Sequence, residues 1–303
     1  MNQKQFIEYV IENLEKTMDR KYLIKVEPIL KNNGVVLTGI NVREADNHMS
    51  AVVYVEPLYK AYKNGSSIIQ IVNKIKAQVE HGLVERRFDS VMFQNWEQAK
   101  ERIVFQLVNY DKNKELLKSI PHKQYFDLAV IFRYYIGLKD EKMVTSIIQN
   151  LVFEEWGITE DELFETALKN NIRLLPASGG RLDQVLFGWD AAGAKHEQEV
   201  NMVPSIYILS NTYGINGAAV LLYPEEIEKM SELLQKDLII LPSSVHEILV
   251  VEYDGSIDLS SYLNMVRSVN QESVPEEDIL SDNIYVYRKE TTTLEFVENS
   301  FTY

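Results

Sequence analysis

The residues best equipped for chemistry lie together at 241–247, Leu-Pro-Ser-Ser-Val-His-Glu. Ser243 and Ser244 offer hydroxyls, His246 a base and Glu247 an acid, the residue types that a covalent hydrolase uses. Their spacing suits that role poorly. If residues 245–251 form a strand, Ser244 and His246 share a face with Cα atoms about 6.5–7 Å apart. A direct nucleophile–base hydrogen bond is then awkward and needs a third group from elsewhere. The G-x-S-x-G pattern, whose glycines permit a sharp nucleophile turn, is absent. The favoured reading is structural: a Pro-Ser-Ser bend between two strands, with the serines bonding local N–H groups and His246 tied to a neighbour.

Other chemistries find less support. None of the five histidines (His48, His81, His122, His196, His246) has a histidine partner at i+2 or i+4. His246-Glu247 is followed by Ile248, Leu249 and Val250, so H-E-x-x-H is missing. No metal site and no cofactor are expected. The chain has no cysteine, which excludes disulfides, thiolate zinc sites and a cysteine nucleophile. Ser178-Gly179-Gly180-Arg181 could present N–H groups to an anion with Arg181 as counter-charge. It lacks the glycine spacing of either phosphate-binding fingerprint, and a plain loop is the favoured reading. The aromatic run 132–135 and the pair Tyr285/Tyr287 could line a groove on a half-exposed sheet, although core packing is favoured.

Charge narrows the partners. With 31 basic against 45 acidic residues the net charge is −14, and such a field repels phosphate backbones. The densest basic groups, Lys139/Lys142 and Arg86/Arg87, are short and flanked by acids. Nucleic acid is therefore an unlikely partner, and an unspecified protein or small ligand is expected instead. The N-terminus lacks the apolar core of a signal peptide, and no apolar run approaches the roughly 18 residues of a spanning helix. A soluble, cytoplasmic protein with no membrane partner is expected.

The elements that must position these residues follow from periodicity. Phe6, Val10, Ile11 and Leu14 recur at helical spacing and predict a helix ending near Met18. Two β-rich runs at 22–30 and 35–42 are joined by Lys31-Asn32-Asn33-Gly34, a strong hairpin signal because the central turn positions need positive φ. A strand at 51–55 and helices at 56–62 and 67–81 complete an N-terminal module of residues 1–90. In the remainder, 91–303, strands are expected at 103–110, 127–136 and 143–150. A short helix at 114–120 stops at Pro121, and Thr159-x-x-Glu162 has the spacing of a capping box that opens a helix through Asn170. Residues 177–203 read as a long loop. Residues 205–253 read as two strands, a helix and two strands, and a helix capped by Asp258 and a hairpin over 283–297 close the chain. Two β-β-α-β units, at about 127–178 and 205–253, end alike in Leu-Pro-Ala-Ser and Leu-Pro-Ser-Ser, which suggests a duplication.

Several pieces together carry a resemblance: NNGVVLTGI, RIVFQLVNYDKNKELLKSIPH, DLAVIFRYY, Trp156-Gly157 with ITEDELFETALKNNIRLLP, and GAAVLLYPEEIEKMSELLQKDLIILPSSVHE. The set resembles an uncharacterised family of Clostridia-type Firmicutes proteins that carries only a domain-of-unknown-function label. A more distant likeness is to another uncharacterised family seen in bacilli. The resemblance implies one bacterial cytoplasmic α+β protein and transfers no functional residue.

The expected fold is α+β, mainly antiparallel sheets flanked by helices, because strands come in adjacent pairs. The expected function is that of a non-enzymatic binding or protein-interaction protein. The alternative is a hydrolase-like or small-ligand enzyme centred on Ser243, Ser244, His246 and Glu247.

Overall fold

The computed structural model describes residues 1–44, 50–86, 95–139, 142–187 and 205–298. Contacts divide the chain into two compact units, Met1–Gln98 and Ala99–Tyr303.

The first unit opens with helix α1 (Gln3–Thr17), fixed at its start by a reciprocal cap. The Asn2 side chain accepts the Gln5 N–H, and the Gln5 side chain accepts the Asn2 N–H. Strands β1 (Tyr22–Leu30), β2 (Val36–Glu44) and β3 (Ser50–Tyr54) form an antiparallel sheet in that order. Asn33 and Gly34 both take positive φ (57° and 74°), as the Asn-Gly hairpin signal requires. Residues 45–49, between β2 and β3, lie outside the described residues. Helices α2 (Val55–Lys63) and α3 (Ile68–Arg86) follow. Phe6, Val10 and Leu14 of α1 meet Ile40, Val42, Val53, Leu58 and Ile75 in one apolar core. Where β3 ends, the Glu56 carboxylate accepts the Thr38 N–H at 2.8 Å and so continues the ladder for one more bond.

The second unit begins in the short α4 (Trp96–Ala99), which straddles the division. Next come β4 (Ile103–Asn109), α5 (Lys114–Leu117), β5 (His122–Tyr125), β6 (Leu128–Lys139) and β7 (Lys142–Ile147). The long β6 is the spine of this sheet, with β4 on one side and β5 then β7 on the other. Helices α6 (Asn150–Trp156) and α7 (Glu160–Leu174) lead to β8 (Ala177–Arg181) and α8 (Leu182–Phe187). Strands β9 (Ile206–Asn211), β10 (Asp237–Leu241) and β11 (Ile248–Tyr253), with α9 (Glu226–Leu234) between the first two, precede α10 (Leu259–Glu272), β12 (Ile284–Arg288) and β13 (Thr293–Val297). These strands make one six-stranded antiparallel sheet in the order β13-β12-β10-β11-β9-β8. Ile239, Val251 and Val286 face Tyr262, Leu263 and Val266 of α10.

The α+β class and the antiparallel sheets agree with the sequence reading, and several elements correct it. Residues 217–222, expected as a strand, are a fully apolar 3-10 stretch (Gly217–Leu222), since a short buried apolar run carries no period that separates strand from helix. The helix expected to end at Asn170 runs on to Leu174, where the first β-β-α-β unit predicts its last strand, and α6 adds a helix that this unit does not contain. The described part of the expected 177–203 loop is β8 and α8, and residues 188–204 lie outside the described residues. Segments 127–178 and 205–253 run β-β-α-α-β and β-(3-10)-α-β-β; β6 and β7 lie in the four-stranded sheet, and β8 joins β9, β10 and β11 in the six-stranded one.

Candidate functional site

β10 ends at Leu241 and β11 begins at Ile248, so residues 242–247 form the loop between them. The expected strand over residues 245–251 starts later, at Ile248, and Val245 and His246 form a bend. The physical cause is that neighbouring segments claim the peptide groups of this loop. Ser281 N donates to Pro242 O (2.9 Å), Leu280 N to Ser243 O (3.1 Å) and Ala218 N to Val245 O (3.2 Å). Val245 N donates to Asp278 O (2.8 Å), and Ser244 forms an isolated antiparallel bridge with Ile279. Ser210 Oγ donates to His246 O at 2.7 Å.

Gly217 allows the closest of these approaches. A Cβ there would stand 2.0 Å from Ser210 Oγ and 2.5 Å from His246 O, so no other residue type fits without movement. Asn216 before it holds a left-handed backbone (φ 53°) that points its N–H at the imidazole.

The side chains sort as follows. Ser244 is buried, and its Oγ accepts the His246 N–H at 3.0 Å. His246 Nδ1 accepts the Asn216 N–H at 3.2 Å, which leaves the ring proton on Nε2, 3.3 Å from Asp278 Oδ1. Ser243 and Glu247 are half-buried, and their side chains make no hydrogen bond among the described residues. Ser244 and His246 thus meet, but through the backbone N–H of the histidine and not its ring. Glu247 is not the acid that meets the imidazole. That acid is Asp278, whose position 32 residues downstream gives no sequence signal. Asn216 was equally hidden, because a backbone donor leaves no trace in residue type.

A second polar cluster anchors the segment that grips this loop. Ser281 is fully buried and donates through Oγ to Asp127 Oδ2 at 2.5 Å, while Asn283 Nδ2 donates to the same oxygen at 2.9 Å. The Tyr285 hydroxyl donates to Asp127 Oδ1 at 2.5 Å. Burial first, and then the Asp127 charge, push the Tyr285 phenol far above its ordinary range. Asn109 Nδ2 donates to Leu280 O (3.0 Å), and Asn270 Nδ2 donates to Ser281 O (2.8 Å). Asp127, Ser281, Asn283 and Tyr285 thus form one linked set of hydrogen bonds beside the loop.

The other sequence candidates separate from the loop. Ser178, Gly179, Gly180 and Arg181 are strand β8 paired to β9, and a Cβ at Gly179 would stand 2.5 Å from Ile208 O. The glycine there serves strand approach, and Arg181 pairs with Asp183 at 2.8 Å. Phe132, Tyr134, Tyr285 and Tyr287 are buried, as core packing requires. His122 Nδ1 lies 3.0 Å from Ile120 O, and His48 and His196 lie outside the described residues. No cluster of three His, Asp or Glu suited to a metal occurs among the described residues, and no described helix is long and apolar enough to cross a membrane.

A family model, the family of unknown function DUF5688, matches residues 3–289. The chain belongs to the DUF5688 family. The match runs through both compact units, so the family is defined by α1–α3 and their sheet as well as by the β10–β11 loop. No curated protein and no solved structure matches the chain. DUF5688 membership assigns no role to Ser243, Ser244, His246 or Glu247, and their chemistry must be read from geometry.

Proposed function

We propose that this DUF5688 protein works by binding a protein or small-ligand partner and not by catalysis. One observation carries the reading: both nitrogens of His246 and the acceptor face of Ser244 Oγ are engaged by the loop's own scaffold. A general base needs a lone pair facing the proton it removes. The only ring lone pair of His246 is directed at the Asn216 N–H. The loop is then a structural corner that holds β10, β11 and residues 278–281 in register, and recognition falls to sheet faces and edges. The net charge of −14 disfavours nucleic acid as the partner. The absence of cysteine supports a reducing, cytoplasmic compartment, and a Firmicutes source belongs to the same proposal.

The test is a hydrolysis survey with ester, amide, phosphoester and glycoside chromogenic substrates, run on the full chain and on Ser243→Ala and His246→Ala. No turnover above the buffer rate is expected from any of the three. Turnover by the native chain that either substitution abolishes, with folding intact by circular dichroism, would sink the binding reading in favour of an enzyme.

A further inference from the structure

Strand β1 is an edge: it spans nine residues and, among the described residues, pairs only with β2. Lys31 N donates to Val35 O at 2.7 Å, continuing the Leu30↔Val36 register. Because donors and acceptors alternate sides along an antiparallel strand, the odd-numbered residues of β1 turn their N–H and C=O groups toward β2. The even-numbered ones, Tyr22, Ile24, Val26 and Leu30, turn theirs outward, and Pro28 falls at the one outward position with no N–H to offer. Apolar side chains gather at the same edge. Leu23 is 45% exposed, Val26 37% and Leu30 39%, and Val36, which pairs with Leu30, is 58% exposed.

The sequence of this edge, Tyr-Leu-Ile-Lys-Val-Glu-Pro-Ile-Leu, is complementary to its own reverse about Val26. Laid antiparallel on a second copy with Val26 on the two-fold axis, Lys25 faces the other copy's glutamate at 27, and Glu27 faces its lysine at 25. Leu23 faces Ile29, and Tyr22 faces Leu30. The Lys25/Glu27 pairs fall at non-hydrogen-bonded positions, where opposed side chains approach most closely. Val26 meets its own copy at a hydrogen-bonded position, and all nine residues overlap. A two-fold axis on Pro28 would instead oppose two prolines and set Lys25 against Lys31. An axis on Ile24 would shorten the overlap to five residues. Lys25 already lies 2.9 Å from Glu27 in its own strand and, with the Asn41 amide, holds that carboxyl below its usual range.

We propose that β1 is a self-pairing edge and that two copies of the chain join their three-stranded sheets, β1 to β1, about a two-fold axis through Val26. The partner is a second copy because the edge carries both halves of its own charge pattern, which an arbitrary extended peptide would have to reproduce. This inference does not depend on the reading of the β10–β11 loop. Pro28 and Lys25 are also devices that keep an edge monomeric, and that alternative predicts the opposite result.

The experiment uses sedimentation equilibrium on the full chain over a concentration series. A concentration-dependent dimer is expected. Lys25→Glu or Glu27→Lys alone opposes like charges twice across the axis and should weaken association by about tenfold or more. The double swap, Lys25→Glu with Glu27→Lys, restores the complementary pattern and should recover it. The chain has no cysteine, so Val26→Cys supplies a single thiol. Opposed Cα atoms at a hydrogen-bonded position are about 5.5 Å apart, within disulfide reach. Diamide should therefore cross-link this variant much faster than Tyr9→Cys, an exposed control on α1. A monomer at every concentration, a dimer indifferent to the single charge reversals, a double swap that fails to recover, or cross-linking no faster than the control would each overturn the proposal.

Discussion

Gly217 and His246 are held by the same contact, and the consequence is testable at a single atom. Adding one methyl at Gly217 puts carbon 2.0 Å from Ser210 Oγ and 2.5 Å from His246 O, and the second is backbone that cannot swing away. Gly217→Ala should destabilise the chain by about 3 kcal/mol or more, at the upper end of overpacking effects. A urea unfolding midpoint that moves by less than the error of the fit would mean that the loop yields freely. The candidate residues themselves stood out in the sequence by type, and their relation did not. Alternation places Ser244 and His246 on one strand face, yet they meet across a bend fixed by hydrogen bonds with residues 216–218 and 278–281.

Among the elements, α7 shows how an edge is closed without another strand. Asn171 accepts the Phe105 N–H at 2.8 Å and donates to Phe105 O at 3.0 Å, so its side-chain amide imitates a peptide unit beside β4. Asn170 adds bonds to Lys100 O and Ile103 O, at 2.6 and 2.8 Å. Asn171→Ala should cost about 2–4 kcal/mol because two buried backbone groups lose their partners. Asn171→Asp keeps the acceptor but sets a carboxylate against Phe105 O, and it should not rescue. Chemical denaturation of both variants checks this, and rescue by Asp would refute the amide clamp. The start of α7 was legible, since Thr159 Oγ1 does accept the Glu162 N–H at 3.1 Å. Its inner face was not, because asparagines inside a helix carry no signal of a strand beside them.

At the scale of the second unit, burial holds several tyrosines in their neutral form. The Tyr223 phenol donates to Leu175 O at 2.9 Å, and burial pushes its pKa up to about 12. Tyr125, Tyr262 and Tyr285 are raised by the same chief cause. An unfolded tyrosine loses its proton near pH 10, so above that pH the unfolded chain binds fewer protons than the folded one. The contribution of Tyr223 is therefore complete below about pH 10 and is lost as pH rises through about 12. A phenol raised from about 10 to about 12 corresponds to about 2–3 kcal/mol. Stability measured by urea unfolding should fall between about pH 10 and about pH 12, and Tyr223→Phe should flatten that slope. An unchanged slope in that variant would place the alkaline transition elsewhere.

What the sequence determined by itself are the features written in local period and local chemistry. Phe6, Val10 and Leu14 mark a helix face, Asn33-Gly34 marks a turn that needs positive φ, and Thr159 marks a helix start, and each depends on neighbours a few residues away. The absence of cysteine and the acidic balance likewise follow from composition alone. Tertiary structure decided everything that depends on a distant partner. Gly217–Leu222 became a 3-10 stretch against β9, the glycines at 179–180 became a strand, and His246 found Asn216 and Asp278. Those outcomes rest on hydrogen bonds between residues tens of positions apart, and neither residue type nor spacing encodes which donor will arrive.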